Sequence, residues 1–398
     1  MNRALLIIYC GLLLSVSAFS CDITLPAFWS MAQDLGARIE FVQAIVPVFL
    51  IFQALGQLIF GPVSDRFGRR PVVFAGLVIY LVGTSIALFA ASIGAVHTGR
   101  AAQGFGSACG IVVGRAMLRD ISHGTALAQA MAFAMAIFAL GPISAPLVGY
   151  GLVAVGGWRG IFIAMGLFAL ALLAGALMLK ETNAAPDAHA LKRANLVSAL
   201  SRIALHPQSR YFLLLAAITQ FSIVSFVANA PRFFKTGFGI EGLSFALLFA
   251  STGLGIILGQ IANNRLLGFL GVLPTTRVAA GVLLFVSAAA TFLSLTGLLT
   301  GPLFVALMFL FNTSFLVIMA NAASLVIDPH REIAGFASSA YGFFTQITSS
   351  ILALITMPFF QGRILPWAAT MLVIMSVLYV ALARYRPPVP GAGPAPAR

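Results

Sequence analysis

The stretch Gly56-Gln-Leu-Ile-Phe-Gly61-Pro-Val-Ser-Asp65-Arg-Phe-Gly68-Arg-Arg70-Pro71 constrains the fold more than any other. An apolar run from Phe41 to Phe60 precedes it, and another from Val72 to Ala91 follows it. The short hinge between them holds Asp65, Arg66, Arg69 and Arg70. Two soluble helices joined this tightly would expose large apolar faces. In a bilayer the pattern is natural, as two antiparallel spanning helices with a basic loop. Gly61 and Pro62 are expected to stop the first helix. Pro71 is expected to start the second, where its missing N–H costs nothing. The arginines place the loop in the cytoplasm.

The rest of the chain agrees. Of 398 residues, 60% are hydrophobic and 8% charged, against about 25% charged in a soluble domain. A net charge of +13 would suggest nucleic acid in a soluble protein. In a membrane protein it follows from basic residues collecting in cytoplasmic loops, and no nucleic-acid partner is expected. Cys10, Cys21 and Cys109 lie in apolar runs, without metal-ligand or disulfide spacing. His97, His123, His189, His206 and His330 fall in loops or at helix ends, and no phosphate-binding loop is present, so no metal or cofactor is expected. Met1-Asn-Arg3 followed by Ala4 to Ala18 has the form of a signal peptide, with a faint lipoprotein-like cut near Cys21. Apolar character resumes after Cys21 and bulky Phe19 stands at the cut, so an uncleaved first helix is expected.

Runs long enough to span number twelve. They lie near Leu5–Trp29, Phe41–Pro62, Pro71–Ser92, Ala95–Leu118, Ala126–Tyr150 and Trp158–Leu179, then, after a polar stretch, near Arg210–Asn229, Leu243–Asn263, Thr276–Leu295, Pro302–Ile327, Ile333–Met357 and Pro366–Ala383. The expected organisation is an N-terminal six-helix bundle over 1–180, a cytoplasmic linker over 181–208, a C-terminal six-helix bundle over 209–385 and a disordered tail over 386–398. Of the 23 Lys and Arg, only Arg38, Arg159, Arg232, Lys235 and Arg363 fall in outer loops when the N-terminus is inside, and Arg100 falls within a span. Both termini are therefore expected in the cytoplasm. Two six-helix halves invite a cavity between them, exposed alternately to each side as they rock.

The motifs carry a family resemblance. Gly61-Pro-Val-Ser-Asp65-Arg-Phe-Gly68-Arg69-Arg70 resembles motif A of the major facilitator superfamily, and Arg100-Ala-Ala-Gln103-Gly104-Phe-Gly106 its motif B. Gly141-Pro142-Ile-Ser-Ala-Pro146-Leu-Val-Gly149 resembles motif C of antiporters. Asp22-Ile-Thr-Leu-Pro26 and Asp34-Leu-Gly36 are similar to the first-helix motif of twelve-helix drug:proton antiporters. With Gly157-Trp158-Arg159, the whole resembles the Bcr/CflA branch, which includes bicyclomycin and chloramphenicol/florfenicol exporters. The C-terminal half matches weakly, at Asn229-Ala-Pro231-Arg232 and Met319-Ala-Asn321-Ala. Motif C usually has a further glycine where this chain has Ile137.

The resemblance implies an all-α integral membrane fold with twelve transmembrane helices in two pseudo-symmetric bundles. Asp22 is the only acid expected within a span, so it must be protonated, paired or facing water. If its surroundings alternate between dry and wet, its proton affinity alternates too. Against this stands an interfacial Asp at the end of the first helix. Arg100 lies roughly 8 Å into the fourth helix at 1.5 Å per residue, a depth shared with Asp22. An interaction between them, direct or through water, is expected, with snorkelling of Arg100 to headgroups the alternative.

Gly61, Asp65, Arg66, Gly68, Arg69, Arg70 and Asp120 are expected to form a conformational latch, with Asp65 against the start of the eleventh helix. For the arginines, orientation in the membrane alone is an equally good account. Gly141, Pro142, Pro146 and Gly149 form the antiporter motif, expected to make a close seam with Gly253, Gly255 and Gly259 on the eighth helix. In this fold the first, fourth, seventh and tenth helices usually line the cavity. Tyr9, Phe19, Gln103, Gln220, Phe221, Asn229, Asn312 and Phe315 are therefore candidate substrate contacts, though packing accounts for each as well.

The functional expectation is proton-coupled efflux of small amphipathic drugs, amphenicol- or bicyclomycin-like, by a monomer in a bacterial inner membrane. One buried acid argues for few protons per cycle and a neutral or weakly charged substrate. A same-fold transporter of a metabolite or nutrient is the alternative. A polytopic membrane enzyme is a third reading, but the spans offer only Asp22 and Arg100 as ionised groups.

Overall fold

The structure is a computed structural model that describes residues 2–386. Most of the expected tail, from residue 387 on, lies outside the described residues. The chain is helical throughout, in the order α1 Arg3–Asp22, α2 Phe28–Asp34, α3 Ile39–Gln43, α4 Ile45–Phe67, α5 Arg69–Leu88, α6 Ile93–Ile121, α7 Gly124–Leu177, α8 Arg193–Leu205, α9 Pro207–Arg232, α10 Gly242–Leu270, α11 Val272–Leu295, α12 Gly301–Ile327, α13 Ala334–Phe360 and α14 Ile364–Arg384.

Among the described residues, nine helical runs are long and apolar enough to cross a membrane. They match the expected spans once three features are taken into account. The 54-residue α7 is two crossings bent at Gly157, whose φ of 62° only glycine adopts without strain. The 60-residue run Gly301–Phe360 holds both α12 and α13, joined by a short 3-10 segment. The 29-residue α6 is long enough to cross but less apolar than the others, because glycines, Gln103, Arg100 and Arg115 interrupt its apolar residues.

α6 is the hub of the N-terminal half, because its glycines let neighbours approach to backbone contact. A Cβ on Gly104 would lie 2.0 Å from the Phe49 carbonyl of α4, one on Gly110 2.3 Å from the Leu13 carbonyl of α1, and one on Gly106 2.5 Å from the Gly76 carbonyl of α5. Lipid tails give apolar helices no reason to associate, so such close van der Waals seams hold the bundle together. In the C-terminal half, α10 meets α12 in the same way, through Gly255 and Gly259. Trp367 fills that half with Phe226, Phe233, Phe304 and Phe311 around it, and its indole N–H donates to Ser225 Oγ at 2.6 Å.

Several boundaries differ from expectation. α4 does not stop at Gly61-Pro62 but runs to Phe67 with Pro62 inside it. Pro62 removes one intrahelical hydrogen bond without ending the helix. Pro71 does sit in the first turn of α5. Within the first candidate span, Arg3–Asp34, the α-helix breaks at Asp22 into a 3-10 turn over Leu25–Ala27 and the short α2. Within the expected linker, α8 forms a helix that packs against α13, burying Ile203.

Candidate functional site

A cavity of about 360 Å³ lies between the two halves. Its walls come from α1, α4, α6 and α7 on one side and α9, α10, α12 and α13 on the other. Phe138, Phe226, Phe249 and Phe315 make it mainly apolar, while Asp22, Gln53, Gln57, Arg115, Gln220, Asn312, Tyr341 and Gln346 supply its polar groups.

Asp22 occupies the last position of α1. It is 7% exposed, lines the cavity, and has no ion pair or hydrogen bond from its carboxylate among the described residues. Arg100 is fully buried. Its Nη1 donates to Gln103 Oε1 at 3.0 Å, its guanidinium lies 4.3 Å from the centroid of Phe49, and its Nε and Nη2 have no partner. Of the expected interaction, direct or through water, the direct Asp22–Arg100 pair does not form. Helical geometry gives the reason, since successive side chains diverge by about 100°. Cys21 lies between Arg100 and the cavity wall, and Asp22 lines the cavity without reaching Arg100.

Three of the eight candidate substrate contacts line the cavity: Gln220, Asn312 and Phe315. The other five are elsewhere. Tyr9 is buried between α1 and α7, its hydroxyl donating to the Leu172 carbonyl at 2.9 Å. Phe19 lines a separate groove between α1 and α7, against Phe168. Gln103 anchors Arg100 and donates to Thr84 Oγ1 at 2.8 Å. Phe221 is buried in packing. Asn229 accepts from Gln43 Nε2 at 3.1 Å across the halves. Sequence reasoning missed the polar groups on α4 and α13. Gln53 Nε2 donates to Ser17 and, at 3.1 Å, to Ser107, while its Oε1 accepts from Gln346 Nε2 at 3.1 Å. Three glutamines on apolar helices, Gln53, Gln57 and Gln346, were the available signal.

At the end of the bundle where α1 begins and α14 ends, Arg69 organises a charged net. It bonds Asp65 Oδ1 at 2.5 Å, Asp120 Oδ2 at 3.0 Å and Ser64 Oγ at 2.8 Å. Asp120 also accepts from Thr182 Oγ1 at 3.0 Å. Gly68, with φ of 95°, makes the turn. Arg70 donates to the Leu177 carbonyl, and Arg66 lies exposed over the Phe67 ring. The net includes Glu181, which the sequence did not single out. Its carboxylate accepts from the backbone N–H of Arg69, Arg70, Thr182 and Asn183 at 2.8–3.1 Å. Partial burial acts to raise its pKa, but these four donors outweigh it and hold the carboxyl below its usual range. Among the described residues, all these bonds lie within helices α4–α7 and the segment after them, with none to α13. Gly61 and Asp65 face α13 across a small cleft shared with Gly335 and Ser339, and Arg119 lies over Gly335.

At the opposite end, Arg232 Nη1 bonds Glu40 Oε1 at 3.0 Å, Gln43 Nε2 also donates to the Ala228 carbonyl, and Lys235 lies 4.6 Å from the Trp29 ring centroid. Asp34 Oδ2 holds the bend after Gly157 through Trp158 Nε1 at 2.8 Å and Arg159 Nη1 at 2.5 Å. The motif C glycines of α7 pack against α1 as well as toward α10. Gly141 faces Ala18 and Gly149 faces the Ile23 carbonyl of the α1 end, while Gly255 and Gly259 face α12. Of the three expected partners, Gly253 meets α7, at Pro142 and Ile143. Ile137 fits opposite Gly11, where a Cβ would lie 2.6 Å from Ile137 Cδ1.

Two six-helix bundles around a central cavity, with motif-like charge nets at one end, define a multi-pass membrane transporter rather than an enzyme. The chain belongs to the Major Facilitator Superfamily, whose model matches residues 10–353. It is 27% identical over 383 residues to the bicyclomycin resistance protein homolog of Haemophilus influenzae, covering 92% of this chain and 93% of that one. It is 29% identical over 339 residues to multidrug resistance protein MdtL of Escherichia coli, covering 83% and 82%. Among solved structures it is similar to a D-xylose-proton symporter, with a TM-score of 0.74 at 14% identity, covering 94% of this chain and 96% of that one. The last likeness concerns the fold alone.

Proposed function

We propose that this chain exports small amphipathic drugs across a bacterial inner membrane in exchange for protons, as a monomer with both termini in the cytoplasm. One observation carries the reading: a buried carboxylate, Asp22, without a partner among the described residues, on the wall of the cavity between the halves. A carboxylate in that position binds its proton when the cavity is dry and releases it when water enters from one side. The names of the drug-resistance relatives support drugs as the cargo.

In this reading the units 1–180 and 209–385 rock about the cavity, joined by 181–208. Gln220, Asn312 and Phe315 contact substrate, joined by Gln53 and Gln346. Arg100 tunes the Asp22 region through Cys21 without a direct pair. Arg69 with Asp65 and Asp120 stiffens the cytoplasmic end of one half so that it moves as a unit, while Gly61 lets α13 approach.

The test uses inverted membrane vesicles with an imposed pH gradient and florfenicol or bicyclomycin as cargo. Wild-type protein should accumulate the drug, and Asp22→Asn should reduce gradient-driven transport at least tenfold with expression unchanged. Full gradient-driven transport by Asp22→Asn would remove this carboxylate from the coupling.

A further inference from the structure

Arg115 on α6 borders both the central cavity and the small cleft beside Asp65 and Gly335. From this position we infer that Arg115 is a ligand-binding cation. It takes an anionic or strongly accepting group of an amphipathic molecule whose apolar body lies among the cavity's phenylalanines.

Among the described residues, Arg115 makes no ion pair and no side-chain hydrogen bond. The acids nearest in sequence and space are engaged elsewhere, since Asp65 and Asp120 are both held by Arg69. Glu332, just before the start of α13, is paired with Arg202. Arg119 lies one turn further along α6, over Gly335 at the start of α13, where the helix dipole also favours an anion. A guanidinium facing a low-dielectric cavity without a counter-charge is costly, and a ligand acceptor offsets that cost. Arg is also the side chain best shaped to hold a carboxylate, sulfonate or similar group in two parallel bonds.

The opposite end of the cavity has the opposite character. Asp22 lies there, at the depth of Arg100, which is 15 positions and roughly 22 Å along α6 from Arg115. Asn312 lines the cavity with its Oδ1 unpartnered. The cavity thus offers acceptors toward Asp22 and a donor cation toward the termini. A molecule oriented by this field carries its acidic or accepting group toward Arg115. The sequence alone argued for a neutral or weakly charged substrate, and Arg115 moves that expectation toward amphipathic weak acids.

This inference rests on the transporter reading for the use of the cavity, but it does not need proton coupling. The full chain in lipid nanodiscs is titrated with two fluorescent probes of one skeleton, the anion 1-anilinonaphthalene-8-sulfonate and the neutral N-phenyl-1-naphthylamine. Arg115→Gln should weaken sulfonate binding about tenfold or more and leave the neutral probe unchanged. Arg115→Lys, which keeps the charge but not the two-bond fork, should lose less sulfonate affinity than Arg115→Gln, and Arg265→Gln, an equal change of net charge away from the cavity, should have no effect. The inference is overturned if Arg115→Gln spares the sulfonate, if it weakens both probes alike, or if Arg265→Gln has the same effect. Efflux loss in Asp22→Asn bears on proton coupling alone, so failure of one reading is distinguishable from failure of the other.

Discussion

Asp22 shows how far a single residue can be read. Its isolation in an apolar run marked it in the sequence, and the structure adds its cavity-facing direction and the absence of a partner. Arg100 was equally visible, but its orientation was not, because depth along a helix says nothing about azimuth. Glu181 was not legible at all. A glutamate in a polar stretch looks solvated, and only the fold brings it to the start of α5, where it caps the helix. Removing it should matter. Glu181→Ala is expected to cost about 1–3 kcal/mol and lower the unfolding midpoint by a few degrees. Because its folded-state pKa lies below the ordinary value, its stabilisation is present above about pH 4.3 and lost as pH falls through the folded value. The gap between wild type and Glu181→Ala in thermal unfolding should therefore be open at pH 7 and close in strong acid. A gap independent of pH would contradict this role.

At the scale of helices, the sequence placed the spans well, since length and apolar character follow from bilayer thickness. It misplaced local stops such as Pro62, because a proline in a packed membrane helix is tolerated when neighbours support it. It also named only every third crossing as lining the cavity, whereas α4, α7, α10 and α13 contribute as much. Glycine seams were visible as composition, but their partners were not. Gly255 and Gly259 serve α12, and Gly141 serves α1. Two substitutions separate seam from surface. Gly104→Val drives a side chain into the Phe49 carbonyl and should cost about 1–3 kcal/mol or more, seen as loss of folded protein on size-exclusion chromatography. Gly151→Ala, with nothing within 4 Å of the new methyl, should leave the unfolding midpoint unchanged or slightly raised.

Across the whole molecule, contacts join the halves on both sides of the cavity. Glu40, Gln43 and Asn229 do so at the end away from the termini, and Gln53 with Gln346 nearer the middle. Pairings between residues so far apart in sequence have no local signature, so the sequence could not show them. If the halves must separate at each end in turn, a bifunctional thiol reagent joining Gln43→Cys to Asn229→Cys should stop transport, and cleaving the link should restore it. Undiminished transport by the cross-linked protein would show that this end need not open.

The central claim is that Asp22 exchanges its proton for substrate. Substrate added to detergent-purified protein in weakly buffered solution tests it most directly, with proton release followed by a pH indicator. Wild-type protein should release protons on adding florfenicol or another transported drug, in proportion to the amount bound, and Asp22→Asn should bind the drug with no release. Equal release from both proteins would contradict the account.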